Sequence, residues 1–165
     1  MMREKTCCLT GHRFIPESEQ IRVIERTETE IRSLIDKGVR YFGVGGAIGY
    51  DTLAAKLLFR LRDTEFPHIR VILVYPFDGY TSRWSPRQRE EAGKLERMYD
   101  KMVRSAEKPG REAYLQRDRH LVDASAHCIC FCTKSTGGTA YTVRYALKRG
   151  LDVRNTADYD LSRLT

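Results

Sequence analysis

The sequence predicts an α/β fold: one domain in which an open, doubly wound, mostly parallel sheet is covered on both faces by helices. Three observations carry this. Short apolar runs alternate with longer amphipathic stretches along all 165 residues. The clearest runs, 69–75 and 128–132, are apolar almost throughout, as strands covered on both faces must be. Glycine clusters directly follow two of the runs and precede helical patterns.

The elements follow in order. Residues 6–9 form a first strand, ended by Gly11. Pro16, Glu17, Ser18 and Glu19 mark a helix start, with proline and acids in the first turn. Ile21, Ile24, Ile31, Leu34 and Ile35 set its inward face, and Gly38 stops it. Residues 39–44 form a second strand, and Asp51 opens a second helix with Leu53, Leu57, Leu58 and Leu61 inward. The third strand, 69–75, ends at Pro76. Ser85, Pro86, Glu90 and Glu91 begin a third helix carrying Leu95 and Met98. A fourth strand covers 101–105, and a helix over 112–123 turns Tyr114, Leu121 and Val122 inward. The fifth strand is 128–132. Gly137 and Gly138 lead into a last helix through Val143, Ala146 and Leu147, which Gly150 ends before a short strand over 151–153.

Hydrophobic residues make up 41% of the chain, enough for a core and too many for wholesale disorder. The longest unbroken apolar runs have five residues, far short of the roughly 18–20 that a spanning helix needs, so no membrane span is expected. The apolar stretch after Arg3, Glu4 and Lys5 is too short for a signal peptide. Cys128, Cys130 and Cys132 alternate along one strand face, and Cys7 and Cys8 are adjacent. Without C-x-x-C spacing they read as small buried hydrophobes in a reducing cytoplasm, and no metal site is expected.

The glycines carry the functional signal. Gly43, Gly45, Gly46 and Gly49 form one cluster and Gly137 and Gly138 the other. A strand, a glycine turn and a helix start let backbone N–H groups converge on an anion, aided by the helix dipole. Tight turning alone would also call for glycine; two such turns on one predicted sheet edge favour phosphate binding. Neither turn has the G-x-G-x-x-G or G-x-x-x-x-G-K-[ST] spacing, which argues against an NAD motif and a P-loop triphosphatase. His12 and Arg13 end the first strand on the same edge, where Arg13 can clamp a phosphate and His12 can donate a hydrogen bond or act as a base. Asp51 is either a first-turn acid or a ribose ligand, and Thr139 caps its helix, binds phosphate, or both. Tyr80 and Trp84 can stack on a base or form an aromatic clasp. Residues 83–119 hold 11 basic and seven acidic side chains, a solvated surface or an attraction for phosphate backbones. Arg117 is placed to point towards the pocket.

Thr10-Gly11-His12-Arg13, Gly45-Gly46-Ala47-Ile48-Gly49-Tyr50-Asp51, the stretch Arg117 to Ser125 and Gly137-Gly138-Thr139-Ala140-Tyr141-Thr142-Val143 together resemble the SLOG superfamily. This Rossmann-like group joins the Smf/DprA DNA-processing proteins to the lonely-guy phosphoribohydrolases. The nearest branch is that of small bacterial DUF1273/YpsA-like proteins. The resemblance implies a nucleotide-like ligand, an ADP-ribose-like one included, held by the two glycine loops; it implies no established reaction. Lonely-guy enzymes carry P-G-G-x-G-T-x-x-E. Here no proline precedes Gly137, and the position three after Thr139 is Thr142, not glutamate. Asp118 replaces the asparagine that follows the arginine in the family pattern.

The expectation is a nucleotide-binding domain without strong catalysis, using Gly11, His12, Arg13, Gly45, Gly46, Gly49, Asp51, Tyr80, Arg117, Gly137, Gly138 and Thr139. No cofactor is called for and no catalytic set is identified. One alternative is cleavage of nucleoside 5′-monophosphates, with Asp51, Glu90, Glu91 or His12 as acid or base. Another is single-stranded DNA binding, which the net charge of +7 allows. A homo-oligomer is left open.

Overall fold

Strands without polar interruption need cover on both faces, and the fold supplies it. The computed structural model describes residues 2–165. The strands are β1 (Thr6–Gly11), β2 (Tyr41–Val44), β3 (Arg70–Tyr75), β4 (Lys101–Arg104), β5 (His127–Phe131) and β6 (Asp152–Asn155). They form one sheet in the order β4-β3-β2-β1-β5-β6. Every pairing is parallel, so the sheet is wholly rather than mostly parallel.

The chain steps outward from β1 to β4 through α1 (Gln20–Asp36), α2 (Tyr50–Thr64) and α3 (Pro86–Glu96). It then returns through α4 (Arg111–Asp123) to place β5 beside β1, and α5 (Gly138–Lys148) leads out to β6. The strand order therefore reverses between β1 and β5, the position where open α/β sheets bind ligands beyond their carboxyl ends. Because all strands are parallel, both glycine turns emerge on that same edge.

Two cores flank the sheet. On one face Ile31 and Leu34 of α1 and Leu58 and Leu61 of α2 pack on Leu9, Phe42, Val71 and Ile129. On the other, Leu121 and Val122 of α4 and Ala140, Val143 and Ala146 of α5 pack on Cys8, Cys128, Cys130 and Cys132. All five cysteines are free and buried, and burial pushes the Cys7 and Cys130 thiols well up. The small side chains of Cys8, Cys128, Cys130 and Cys132 form the sheet surface on which α4 and α5 pack, while Cys7 faces the other core. No helix among the described residues is long and apolar enough to cross a membrane.

Several local expectations shift. Ile21 is 73% exposed and Ile24 is half-buried, while Val23 and Thr27 take the inward positions of α1. The inward surface of α1 runs through Val23, Thr27, Ile31, Leu34 and Ile35, and Thr27 fits because its hydroxyl pairs with the buried Tyr50 hydroxyl at 2.9 Å. Pairing carries β1 through to Gly11, delays β2 to Tyr41 and moves β6 to Asp152–Asn155. Met98 lies beyond the end of α3 and is 39% exposed. No residue of α3 is fully buried. A Ser85–Gln88 capping box with Pro86 in the first turn defines its start. The helix packs on the core through Leu95, and a cleft lined by both helices lies between it and α2.

Candidate functional site

The β1 loop is seated on the start of α2 by close backbone approach. Gly11 lies against the Tyr50 ring, and a Cβ there would collide with it. Gly49, at φ +81°, faces the backbone of Arg13, where a side chain would also collide. The Tyr50 N–H donates to the His12 carbonyl at 3.1 Å. The Tyr50 ring stacks on Phe131 of β5, with centroids 6.1 Å apart. Tyr50 therefore locks β1, α2 and β5 together at the switch point. Only its place inside a glycine-rich turn marked it in the sequence.

A buried charged group holds the turn from the opposite face. Arg117, on α4 and 7% exposed, donates through Nη1 to the Gly45 carbonyl and through Nε to Asp118 Oδ1 at 2.8 Å. Its guanidinium lies over Tyr114. The Asp51 carboxylate, 6% exposed, accepts from the Ala47 N–H at 3.1 Å, closing the turn from inside. Burial pushes its pKa up to about 6, against the opposing pull of Arg117 and the Ala47 amide. A Cβ on Gly45 would sit 2.7 Å from Arg117 Nη1 and 2.9 Å from Asp51 Oδ2, so these two groups occupy the space a side chain would need.

Above this turn opens a cleft of about 960 Å³. Gly46, Gly49 and Arg13 lie at one end. Tyr75, Tyr80, Trp84 and Tyr99 contribute aromatic wall, and Leu53 and Leu57 of α2 and Leu95 of α3 contribute apolar lining. Tyr80 stacks on Tyr75 at 5.9 Å and meets Trp84 edge-on at 5.6 Å. Burial pushes the Tyr80 hydroxyl up to about 12. The exposed Arg13 side chain makes no ion pair or hydrogen bond among the described residues. Lys56 is paired with Glu91 across to α3, and Arg60 with Glu28 at 2.6 Å. Thr52, Lys56 and Arg60 line the cleft at helical spacing, and nothing in the sequence singled them out.

The second glycine turn lies at the end of β5. Gly137, at φ +92°, precedes α5, and neither α2 nor α5 has a side-chain cap on its first-turn amides. The Thr133 N–H donates to His12 Nε2 at 2.9 Å, which joins this loop to the β1 loop. Burial holds His12 below the usual imidazole range, with Lys134 adding to the effect. Asn155 clamps the end of β5, accepting from the Cys132 N–H at 3.0 Å and donating to its carbonyl at 2.9 Å. No motif in the sequence marked Asn155. Arg13, Gly46, Gly49 and Tyr80 thus meet in one cleft; Gly11, His12, Gly45, Asp51 and Arg117 lie behind or beside it; Gly137, Gly138 and Thr139 line none of it. Of the alternative acids, Glu90 pairs with Lys94 at 3.4 Å and Glu91 lines the cleft.

A parallel sheet with its cleft at the carboxyl ends of the strands defines a Rossmann-like α/β domain. The chain belongs to the YspA SLOG family, whose model matches residues 8–165. It is 24% identical over 171 residues to a UPF0398 protein of Bacillus velezensis, covering 98% of this chain and 91% of that one. A UPF0398 protein of Enterococcus faecalis is 26% identical over 170 residues, covering 98% and 92%. Among solved structures, the fold resembles DNA processing protein A of Helicobacter pylori, described for its single-stranded DNA binding mode. The TM-score is 0.62 at 17% identity, over 91% of this chain and 64% of that one. The Streptococcus pneumoniae protein of the same name gives a TM-score of 0.64 at 15% identity, over 93% and 50%. The chain therefore spans about half to two thirds of those two chains.

Proposed function

We propose that this domain binds a nucleotide-like small molecule, with phosphate at the Gly46–Gly49 turn beside Arg13 and the base against Tyr80 and Trp84. The observation that carries this is one cleft that has at one end an unpaired arginine and a helix start without a side-chain cap, its Tyr50 N–H held by the His12 carbonyl, and aromatic walls beyond. Helix-start amides and a guanidinium suit a phosphate; π-faces suit a base. In this reading Gly11, His12, Gly45, Asp51 and Arg117 shape the turn, and Gly137, Gly138 and Thr139 offer a separate anion position. Family membership supports the reading. Thermal unfolding against a panel of nucleotides tests it. A ligand at about a hundred times its Kd adds roughly 2.7 kcal/mol, a rise in Tm of about 5–10 °C for a chain of this size. A panel in which no nucleotide raises Tm overturns the reading.

A second reading, binding of single-stranded nucleic acid, draws on the fold likeness to DNA processing protein A and on the net charge of +7.

A further inference from the structure

The two edges of the sheet differ in how their cations are satisfied. At the β6 edge, Arg154 is bonded to Glu30 at 2.8 Å and to Asp152 at 3.1 Å and Arg149 pairs with Asp123 at 3.3 Å, while the neighbouring Lys148 makes no ion pair or hydrogen bond among the described residues. At the β4 edge, Arg83, Arg87, Arg97, Lys101, Lys108 and Arg111 are exposed. None of these six side chains makes an ion pair or hydrogen bond among the described residues. Most acids nearby are already engaged: Glu90 by Lys94, Glu91 by Lys56, Asp100 by Arg62 and Glu112 by Arg119. Glu96 and Glu107 alone among the acids of this stretch are left without a cation, so the edge is strongly positive.

Arg83 precedes α3, Arg87 lies on it and Arg97 ends it, the helix spanning about 16 Å over 11 residues; Lys101 lies on β4, and Lys108 and Arg111 lie in the connection to α4 and at its first residue. The cleft with Tyr80 and Trp84 opens next to α3. A cationic track flanked by aromatic faces suits a flexible chain of phosphates and bases. A lipid surface would call for large, strongly exposed apolar anchors beside the charge; the most exposed, Phe14 and Ile21, lie in the loop before α1 and in its first turn, and at this edge Met98 and Met102 are each 39% exposed.

We propose that the α3–β4 edge is a docking surface for single-stranded nucleic acid, with the backbone along the unpaired cations and bases reaching towards Trp84. This rests on the second reading above and assigns it a surface. The test is fluorescence anisotropy of a labelled oligothymidylate of about fifteen nucleotides across a salt series. It compares the wild type with an edge variant (R83Q, R87Q, R97Q and K101Q together) and a control (R3Q, K37Q, K148Q and R163Q together) that removes the same charge elsewhere. The edge variant is expected to bind at least about tenfold more weakly, with a salt dependence shallower by about 0.7 for each phosphate it no longer neutralises. The control is expected to stay within about twofold of wild type. If both variants weaken alike, or the edge variant binds as wild type does, the surface is wrong while the nucleic-acid reading survives. If wild type binds no oligonucleotide at low salt, that reading itself fails and the proposal with it. Binding to phosphatidylserine vesicles that is tighter than to the oligonucleotide and abolished in the edge variant would also overturn it. Melting curves of both variants, expected to match wild type because these side chains are exposed, exclude loss of fold as the cause.

Discussion

Arg117 on α4 donates through Nη1 to the carbonyl of Gly45, 72 residues away at the end of β2. A side chain that the sequence expects to point towards the pocket and neutralise charge is bonded to the glycine turn itself. Its second bond, to Asp118, leaves it well engaged by protein groups. Through these two bonds it holds the turn in shape.

Replacing this group tests that arrangement. R117M leaves the Gly45 carbonyl and two carboxylates without their cation, and is expected to destabilise the fold by ~3 kcal/mol. Urea unfolding of the variant measures it. A change below about 0.5 kcal/mol would mean that the latch contributes little.

Asp51 makes stability depend on pH in an unusual direction for a carboxylate. Its folded pKa of about 6 lies above the ordinary value of 3.8. Between these values the folded chain holds more protons than the unfolded one, so its contribution falls as pH rises. Above the folded value the ionised group costs ~3 kcal/mol relative to the unfolded state. D51N removes the titration while keeping an oxygen for Ala47 N–H. Its stability relative to wild type is expected to be more favourable at pH of about 8 than at about 4.5, and equal offsets at both would be the contrary result.

His12 runs the other way. Burial lowers its pKa from 6.5, so its contribution is fully present above that value and lost as pH falls through the folded one. Protonation also removes the acceptor for the Thr133 N–H. In an NMR titration the His12 ring is expected to titrate below 6.5, with the Thr133 amide shifting in the same step. A ring that titrates at 6.5 or higher contradicts this.

The glycines separate by role. G49A meets both a positive φ and the Arg13 backbone, and is expected to cost at least ~3 kcal/mol. Gly93 lies inside α3 with open space around its Cα, so G93A is expected to stabilise by ~0.5–1 kcal/mol. Chemical unfolding of both variants checks the pair, and similar effects of one sign would refute the distinction.

Arg13 separates binding from folding. R13A removes an exposed, unpaired cation and is expected to leave Tm within about 1 °C of wild type. The affinity for whichever nucleotide stabilises the domain is expected to drop about tenfold, read by titration calorimetry. An unchanged affinity would remove Arg13 from the site.

The alternation of apolar and amphipathic segments was enough to determine the α/β class, all six strands and five helices, and the shared edge of the two glycine turns. These features depend on local periodicity and on parallel strands pointing one way. Which isoleucines of α1 face inward, that Gly11 and Gly49 are needed for backbone approach, and that Arg117 grips Gly45 were settled only in three dimensions. So was the cleft, which lies between α2 and α3, a helix that packs on the core through Leu95 and buries no side chain fully. Spacing along a chain constrains neighbours within one element. Packing between elements depends on how far each lies from the next, and that is fixed when the whole sheet and its helices close together.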